Sequence, residues 1–178
     1  SLKNFHMATL EYVLNGLMRR YRERVPDVQA IIDAMIAEQI IGSAEEIEND
    51  HIAFRTMGVP QLGIQSLEKI FLHYGYQKKD YYYFPEKKLD AYWYAPPKQG
   101  YPRIFISQLR VQDLSPAAQQ IITSYTSEVK TDPVDALALD DGKAVDEFLH
   151  SGLWRTPTVE DYETLAAESE YAAWVIYN

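Results

Sequence analysis

The sequence predicts an α+β fold, a βαβββ unit flanked by N-terminal and C-terminal helices. Apolar residues recur at helical spacing near both ends of the chain, at Leu10, Val13, Leu14, Leu17 and again at Ala118, Ile121, Ile122, Tyr125. Between residues 49 and 112 the pattern turns to the period-2 alternation of half-buried strands, with one helical stretch inside it. Gly and Pro mark the changes of pattern at Gly58, Pro60, Gly63, Gly75, Pro96 and Pro97.

Taken in order, Leu10 to Met18 follow i, i+3, i+4, i+7, i+8 and predict a first amphipathic helix. Pro26 suits the first position of a second helix carrying Val28, Ile31, Ile32, Met35 and Ile36, with Gly42 as its stop. The run from His51 to Thr56 reads as a strand. A helix with Leu67, Ile70, Phe71 and Tyr74 follows, closed by Gly75. Tyr81 to Phe84 and Leu89 to Tyr94 form a hairpin around Pro85 and Glu86, and Arg103 to Val111 supplies the last strand. Beyond it, Ser115-Pro116 is a helix cap followed by a first-position proline. Val145, Phe148 and Leu149 predict a short helix, and Thr158 with Asp161 three residues on reads as a weak capping box. The 130–143 stretch, with Asp132, Pro133, Asp140, Asp141 and Gly142, is expected to be a mobile loop. The 178 residues thus read as one domain: a helical lead over 1–42, the βαβββ unit over 49–112, and a helical segment over 115–178.

Composition narrows the function classes. Seventeen basic against 26 acidic side chains give a net charge of -9, which repels a phosphate backbone and argues against a nucleic-acid partner. There is no cysteine, so disulfides, thiolate nucleophiles and cysteine-held metals are excluded. A metal here must use His, Asp and Glu, a donor set that suits Fe(II), Mn(II) or Zn(II) at an open site. No apolar run approaches the roughly 20 residues of a membrane span, and no signal peptide is visible, so a cytoplasmic protein without a membrane partner is expected.

Period-2 geometry places His51, Ala53 and Arg55 on one face of their strand and Ile52 and Phe54 on the other. At about 3.3 Å per residue the Cα atoms of His51 and Arg55 lie roughly 13 Å apart. An imidazole holding a metal and an extended guanidinium can bracket a short dicarboxylate across that distance, the arginine pairing bidentately with a carboxylate. Spacing alone leaves two alternatives open for each residue. His51 is a hydrogen-bonded core residue or a ligand, and Arg55 is an ordinary ion-pair partner or a clamp. His6, His73 and His150 show no ligand-like i+2 or i+4 partner, and no three-ligand set can be assembled by spacing. The aromatic cluster Tyr81, Tyr82, Tyr83, Tyr92, Trp93 and Tyr94 reads as sheet packing.

The segment Asn49-Asp50-His51-Ile52-Ala53-Phe54-Arg55-Thr56 resembles the signature of the 2-oxoadipate dioxygenase/decarboxylase (2-hydroxyglutarate synthase) family. The similarity continues through Tyr82 to Leu89, Trp93 with Pro96-Pro97, and Arg103 to Leu109. This resemblance implies a vicinal-oxygen-chelate-like fold, in which βαβββ units pair around a metal. It also implies an Fe(II) cofactor held by two histidines and a glutamate, with O2 used to convert 2-oxoadipate to 2-hydroxyglutarate and CO2 in lysine breakdown. His51 matches the first-strand metal ligand and Arg55 the arginine that holds the substrate's carboxylate. Gln108, where relatives tend to carry an acid, is expected to line the pocket. The second histidine and the glutamate belong to a second unit, expected beyond Asn178, so the chain reads as an N-terminal part. Two other readings remain in the field: a glyoxalase-like metal-dependent isomerase or hydrolase, and a non-catalytic 2-oxo acid binding protein.

Overall fold

A computed structural model of the chain describes residues 1–21 and 51–178. The expected second helix and the acidic run before His51 lie outside these described residues. Helix α1 (Leu2–Tyr21) leads, followed by strand β1 (His51–Met57), helix α2 (Ile64–His73), strands β2 (Gln77–Phe84), β3 (Leu89–Ala95) and β4 (Arg103–Leu109), and helix α3 (Pro116–Thr126). Helices α4 (Gly142–Leu149), α5 (Val159–Glu168) and α6 (Glu170–Tyr177) complete it.

The four strands form one sheet in the order β1-β4-β3-β2. β2, β3 and β4 run as an antiparallel meander, and β4 closes beside β1 in parallel, with His51 opposite Arg103 and Arg55 opposite Ser107. The βαβββ topology therefore follows from the chain's own order of strands and one crossover helix. Because side chains alternate along a strand, the sheet presents two apolar faces. Ile52, Ile104, Ile106 and Tyr94 meet α1 and α2 through Leu10, Val13, Leu14, Ile70 and Phe71. Met57, Ala91, Phe105 and Leu109 meet α3, α5 and α6 through Ile122, Tyr125, Leu165, Ala172 and Ile176. Helices thus cover both faces, and no helix among the described residues is long and apolar enough to cross a membrane.

Local chemistry sets the ends of these elements. The Ser115 hydroxyl accepts from the Ala118 N–H at 3.1 Å, as its position ahead of Pro116 predicts. At α5, Thr158 accepts from the Asp161 N–H, yet the reciprocal arm of a capping box is absent. The Tyr125 phenol takes its place, accepting from the Thr158 N–H and donating to Asp161. β2 starts at Gln77, ahead of the expected Tyr81, because Lys78, Lys79 and Asp80 are exposed strand residues that show no apolar alternation. The 130–143 stretch differs from the expected loop. It contains a 3-10 turn (Pro133–Ala136), and the Asp132 carboxylate accepts from Ser66 at 2.6 Å and Lys69 at 2.7 Å, which ties it to α2.

A partly buried ion pair joins α1 to α4. Arg20 donates to both carboxylate oxygens of Asp146 at 2.9 Å each. Those bonds hold the Asp146 carboxyl below its usual range, against the opposing effect of burial. A carboxyl whose folded value is depressed adds stability above its unfolded value of about 3.9, and loses it as pH falls through the lower folded value. Urea midpoints of the parent are therefore expected to fall between pH 6 and pH 3. Asp146→Asn should start lower and fall less over that interval, and an equal fall in both proteins would refute this role.

Candidate functional site

β1 is the edge strand beside β4, and its odd-numbered residues face α6. His51 and Arg55 share that face, as their spacing predicts. The His51 ring stacks on Phe105 with centroids 5.2 Å apart and an interplanar angle of 27°. The residue is 3% exposed, so the imidazole is packed into the start of the sheet. Arg55 is half-buried, and its guanidinium lies 4.7 Å from the centroid of Trp174 and 5.9 Å from that of Tyr171, both on α6. Two aromatic faces restrict the guanidinium and favour its charge.

Tyr171 is fixed in turn by the strands. Its hydroxyl accepts from the Thr56 N–H at 3.0 Å, lies 2.8 Å from the Ser107 Oγ, and donates to the Thr56 carbonyl at 3.2 Å. Burial pushes the phenol far above its usual value, and the hydrogen bonds and the Arg55 charge offset only part of that. It is therefore a neutral hydrogen-bonding group at any ordinary pH. The network pins α6 to β1 and β4 at the level of Arg55, and with it the aromatic faces that hold the guanidinium.

A cavity of about 230 Å³ opens along this edge of the sheet. Arg55 supplies its charge, Thr56 and Ser66 its hydroxyls, and Leu67, Trp154 and Trp174 its apolar walls. It lies a little below the range of about 300–1,000 Å³ of small-molecule clefts. The cavity reaches Arg55, and His51 is not among the residues that line it.

Gln108 stands apart from the other two. Its neighbour Ser107 points to the α6 face, so Gln108 points to the opposite one. There its Oε1 accepts from the Ile64 N–H at 2.9 Å. The cap residue of α2 is Gly63, at φ 87, which has no side chain to satisfy the helix's first amides. Gln108 does so from the sheet, with its Oε1 as the acceptor.

Fe(II) can be judged against these donors. The donor that this face offers is the His51 imidazole, which is buried against Phe105 on the face it shares with Arg55. Among the described residues, no trio of His, Asp or Glu forms around it. The trio that does form is His6, His73 and Asp140, three residues that sequence spacing passed over because they lie on separate segments.

A family model described as 2-oxoadipate dioxygenase/decarboxylase matches residues 13–178. A curated relative from Oryza sativa subsp. japonica, the chloroplastic/amyloplastic 2-oxoadipate dioxygenase/decarboxylase, is 36% identical over 177 residues, covering 93% of this chain and 45% of that protein. The crystal structure of the hydroxyglutarate synthase in complex with 2-oxoadipate from Oryza sativa superposes with a TM-score of 0.71 at 30% identity, over 97% of this chain and 55% of that one. A glyoxalase superfamily protein from Ralstonia eutropha, 20% identical with a TM-score of 0.62 over 94% of this chain and 59% of its own, shares the fold. The chain spans about half the length of each. The plastid address of the rice relative overturns the expectation of a cytoplasmic protein. Compartment is set by an address that targeting machinery reads, so the charge and hydropathy of a folded domain do not encode it.

Proposed function

Since the chain belongs to the 2-oxoadipate dioxygenase/decarboxylase family, we propose that it supplies the carboxylate clamp and one metal ligand of an Fe(II)-dependent oxygenase. That enzyme converts 2-oxoadipate, or a close 2-oxo dicarboxylate, to 2-hydroxyglutarate and CO2. One O2 is consumed per turnover, and its two oxygen atoms balance the loss of one carbon as CO2 and the gain of a hydroxyl. On this reading the second histidine and the glutamate come from another unit of that enzyme. What supports the reading is the placement of His51 and Arg55 on one face of β1, with Arg55 opening on the cavity.

Within this chain, Arg55 pairs bidentately with the carboxylate distal to the oxo group. Trp174 and Tyr171 hold the guanidinium in place, and the Tyr171–Ser107–Thr56 hydrogen bonds hold those rings. His51 would hold Fe(II) through its imidazole. When bound, the ion supplies chelation of the 2-oxo acid and activation of O2. Leu67, Trp154 and Trp174 keep bulk water from the seated chain, and Gln108 takes no part.

Trp174 lies against Arg55, so its emission reports occupancy of the clamp. Titration with 2-oxoadipate is expected to change tryptophan fluorescence, with about 10- to 100-fold weaker binding in Arg55→Ala and part of the loss restored in Arg55→Lys. Unchanged affinity in Arg55→Ala would rule out the clamp. Iron analysis of the parent against His51→Ala tests the ligand, and O2 uptake with CO2 release tests the reaction. Turnover of the 2-oxo acid under strict anaerobiosis would transfer the assignment to a glyoxalase-like isomerase or hydrolase. Binding by a metal-free protein without turnover would transfer it to a 2-oxo acid binding protein.

A further inference from the structure

Three residues from distant parts of the sequence converge on the helical layer that faces away from Arg55. His6 lies in the second turn of α1, His73 is the last residue of α2, and Asp140 directly precedes the α4 cap residue Asp141. Both imidazoles aim Nε2 at the same oxygen, Asp140 Oδ1, at 3.2 Å for His6 and 2.7 Å for His73. The two rings are 4.7 Å apart and tilted by 47°, and one donor atom from each of the three residues lies within 4.8 Å of the others. None of the three lines the cavity at Arg55.

Two imidazole nitrogens and one carboxylate oxygen are the donor set that borderline divalent transition ions take. Bonds of about 2.0–2.2 Å to a tetrahedral zinc hold donor atoms about 3.4 Å apart, so the present contacts need only small side-chain rotations to admit one. The backbone around Asp140 is already fixed on both sides. The Tyr74 hydroxyl donates to the Leu139 carbonyl at 2.6 Å, and Asp141 accepts from the Lys143 and Ala144 N–H groups at the head of α4. His73 packs edge-on against Tyr74 with centroids 5.6 Å apart. Such outer supports orient a ligand before the ion arrives. The Asp140 side chain is 56% exposed, which gives an ion a path in and leaves a coordination position open to water.

We propose that His6, His73 and Asp140 form a second metal site, separate from the one at His51, that binds a borderline divalent transition ion such as Zn(II). The bound ion would clasp the start of α1 to the end of α2 and to the segment entering α4. Three protein ligands with an open fourth position also allow an exogenous anion to complete the sphere.

The test is calorimetric titration of the tag-free, metal-stripped chain with Zn(II), repeated with Co(II) to read the visible ligand-field bands. One equivalent is expected to bind the parent and His51→Ala alike. Affinity should be more than about tenfold weaker in His73→Ala and in Asp140→Asn, with the Co(II) bands lost. Circular dichroism checks each variant, and His6→Gln, near the chain start, substitutes if His73→Ala does not fold. The proposal is overturned if the folded parent binds no zinc, if all three variants bind as the parent does, or if His51→Ala abolishes the uptake.

Discussion

Phe71→Ala is expected to destabilise the chain by about 3–5 kcal/mol, the cost of emptying a fully packed aromatic site. Phe71 is 0% exposed and forms the joint between α2 and the sheet. Its ring lies 5.4 Å from that of Phe54 on β1, and it meets Tyr76 edge-on at 5.7 Å. At about 2–4 °C per kcal/mol for a protein of this size, the melting temperature should drop by about 6–20 °C. Leu72, the next residue, is exposed, so Leu72→Ala should stay within about 0.5 kcal/mol of the parent. Similar melting temperatures for the two variants would show that α2 does not dock through this face. The same joint carries the ends of α2 to their tasks, since Ser66 and Leu67 wall the cavity and His73 closes the far end.

Gly58→Ala is expected to cost about 3 kcal/mol by a different route, overpacking against backbone rather than loss of packing. Gly58 follows β1 directly and donates its N–H to the Leu109 carbonyl at 3.0 Å. A methyl group there would stand 2.3 Å from that same oxygen. Leu109 is completely buried at the end of β4, so its carbonyl has no room to withdraw. Relief requires β1 and β4 to part at their C-terminal ends, close to Thr56 and the Tyr171 network. Thermal unfolding should therefore show a drop of about 6–12 °C. It should be accompanied by a shift in Trp174 emission as α6 loosens, and a parent-like melt with unchanged emission would contradict the close approach.

Much of the architecture was legible because it rests on local periodicity. The spacing of Leu10, Val13, Leu14 and Leu17 names the residues α1 buries, and the alternation from His51 to Thr56 names the faces of β1. The Ser115 cap was legible for the same reason, since capping is decided within one turn. What escaped was decided by charge or by distance along the chain. The early part of β2 was missed because its Lys-Lys-Asp run is exposed, and exposed strands carry no apolar signature. The 130–143 stretch looked loose because the contacts that hold Asp132 come from α2.

The site divides along the same line. That His51 and Arg55 share a face follows from two-residue periodicity alone. The aromatic cradle of Arg55 does not, because Tyr171 and Trp174 arrive from the opposite end of the sequence. Gln108 invited a pocket role by its position, one where relatives tend to carry an acid, whereas register turns it toward a glycine-capped helix that lacks an acceptor of its own. His6 and His73 carried no spacing signal, because their meeting at Asp140 depends on three separate segments being packed side by side.

The two margins of the sheet are unlike. At β2 a register shift between Lys78 and Tyr81, with a run of charged side chains, spoils the template for any further strand. At β1 the margin runs alongside the cavity, and there the Tyr171 hydroxyl takes up the outward-pointing N–H and carbonyl of Thr56. Irregular register and charge thus guard one margin of the sheet, while a phenol from α6 occupies the other beside the guanidinium.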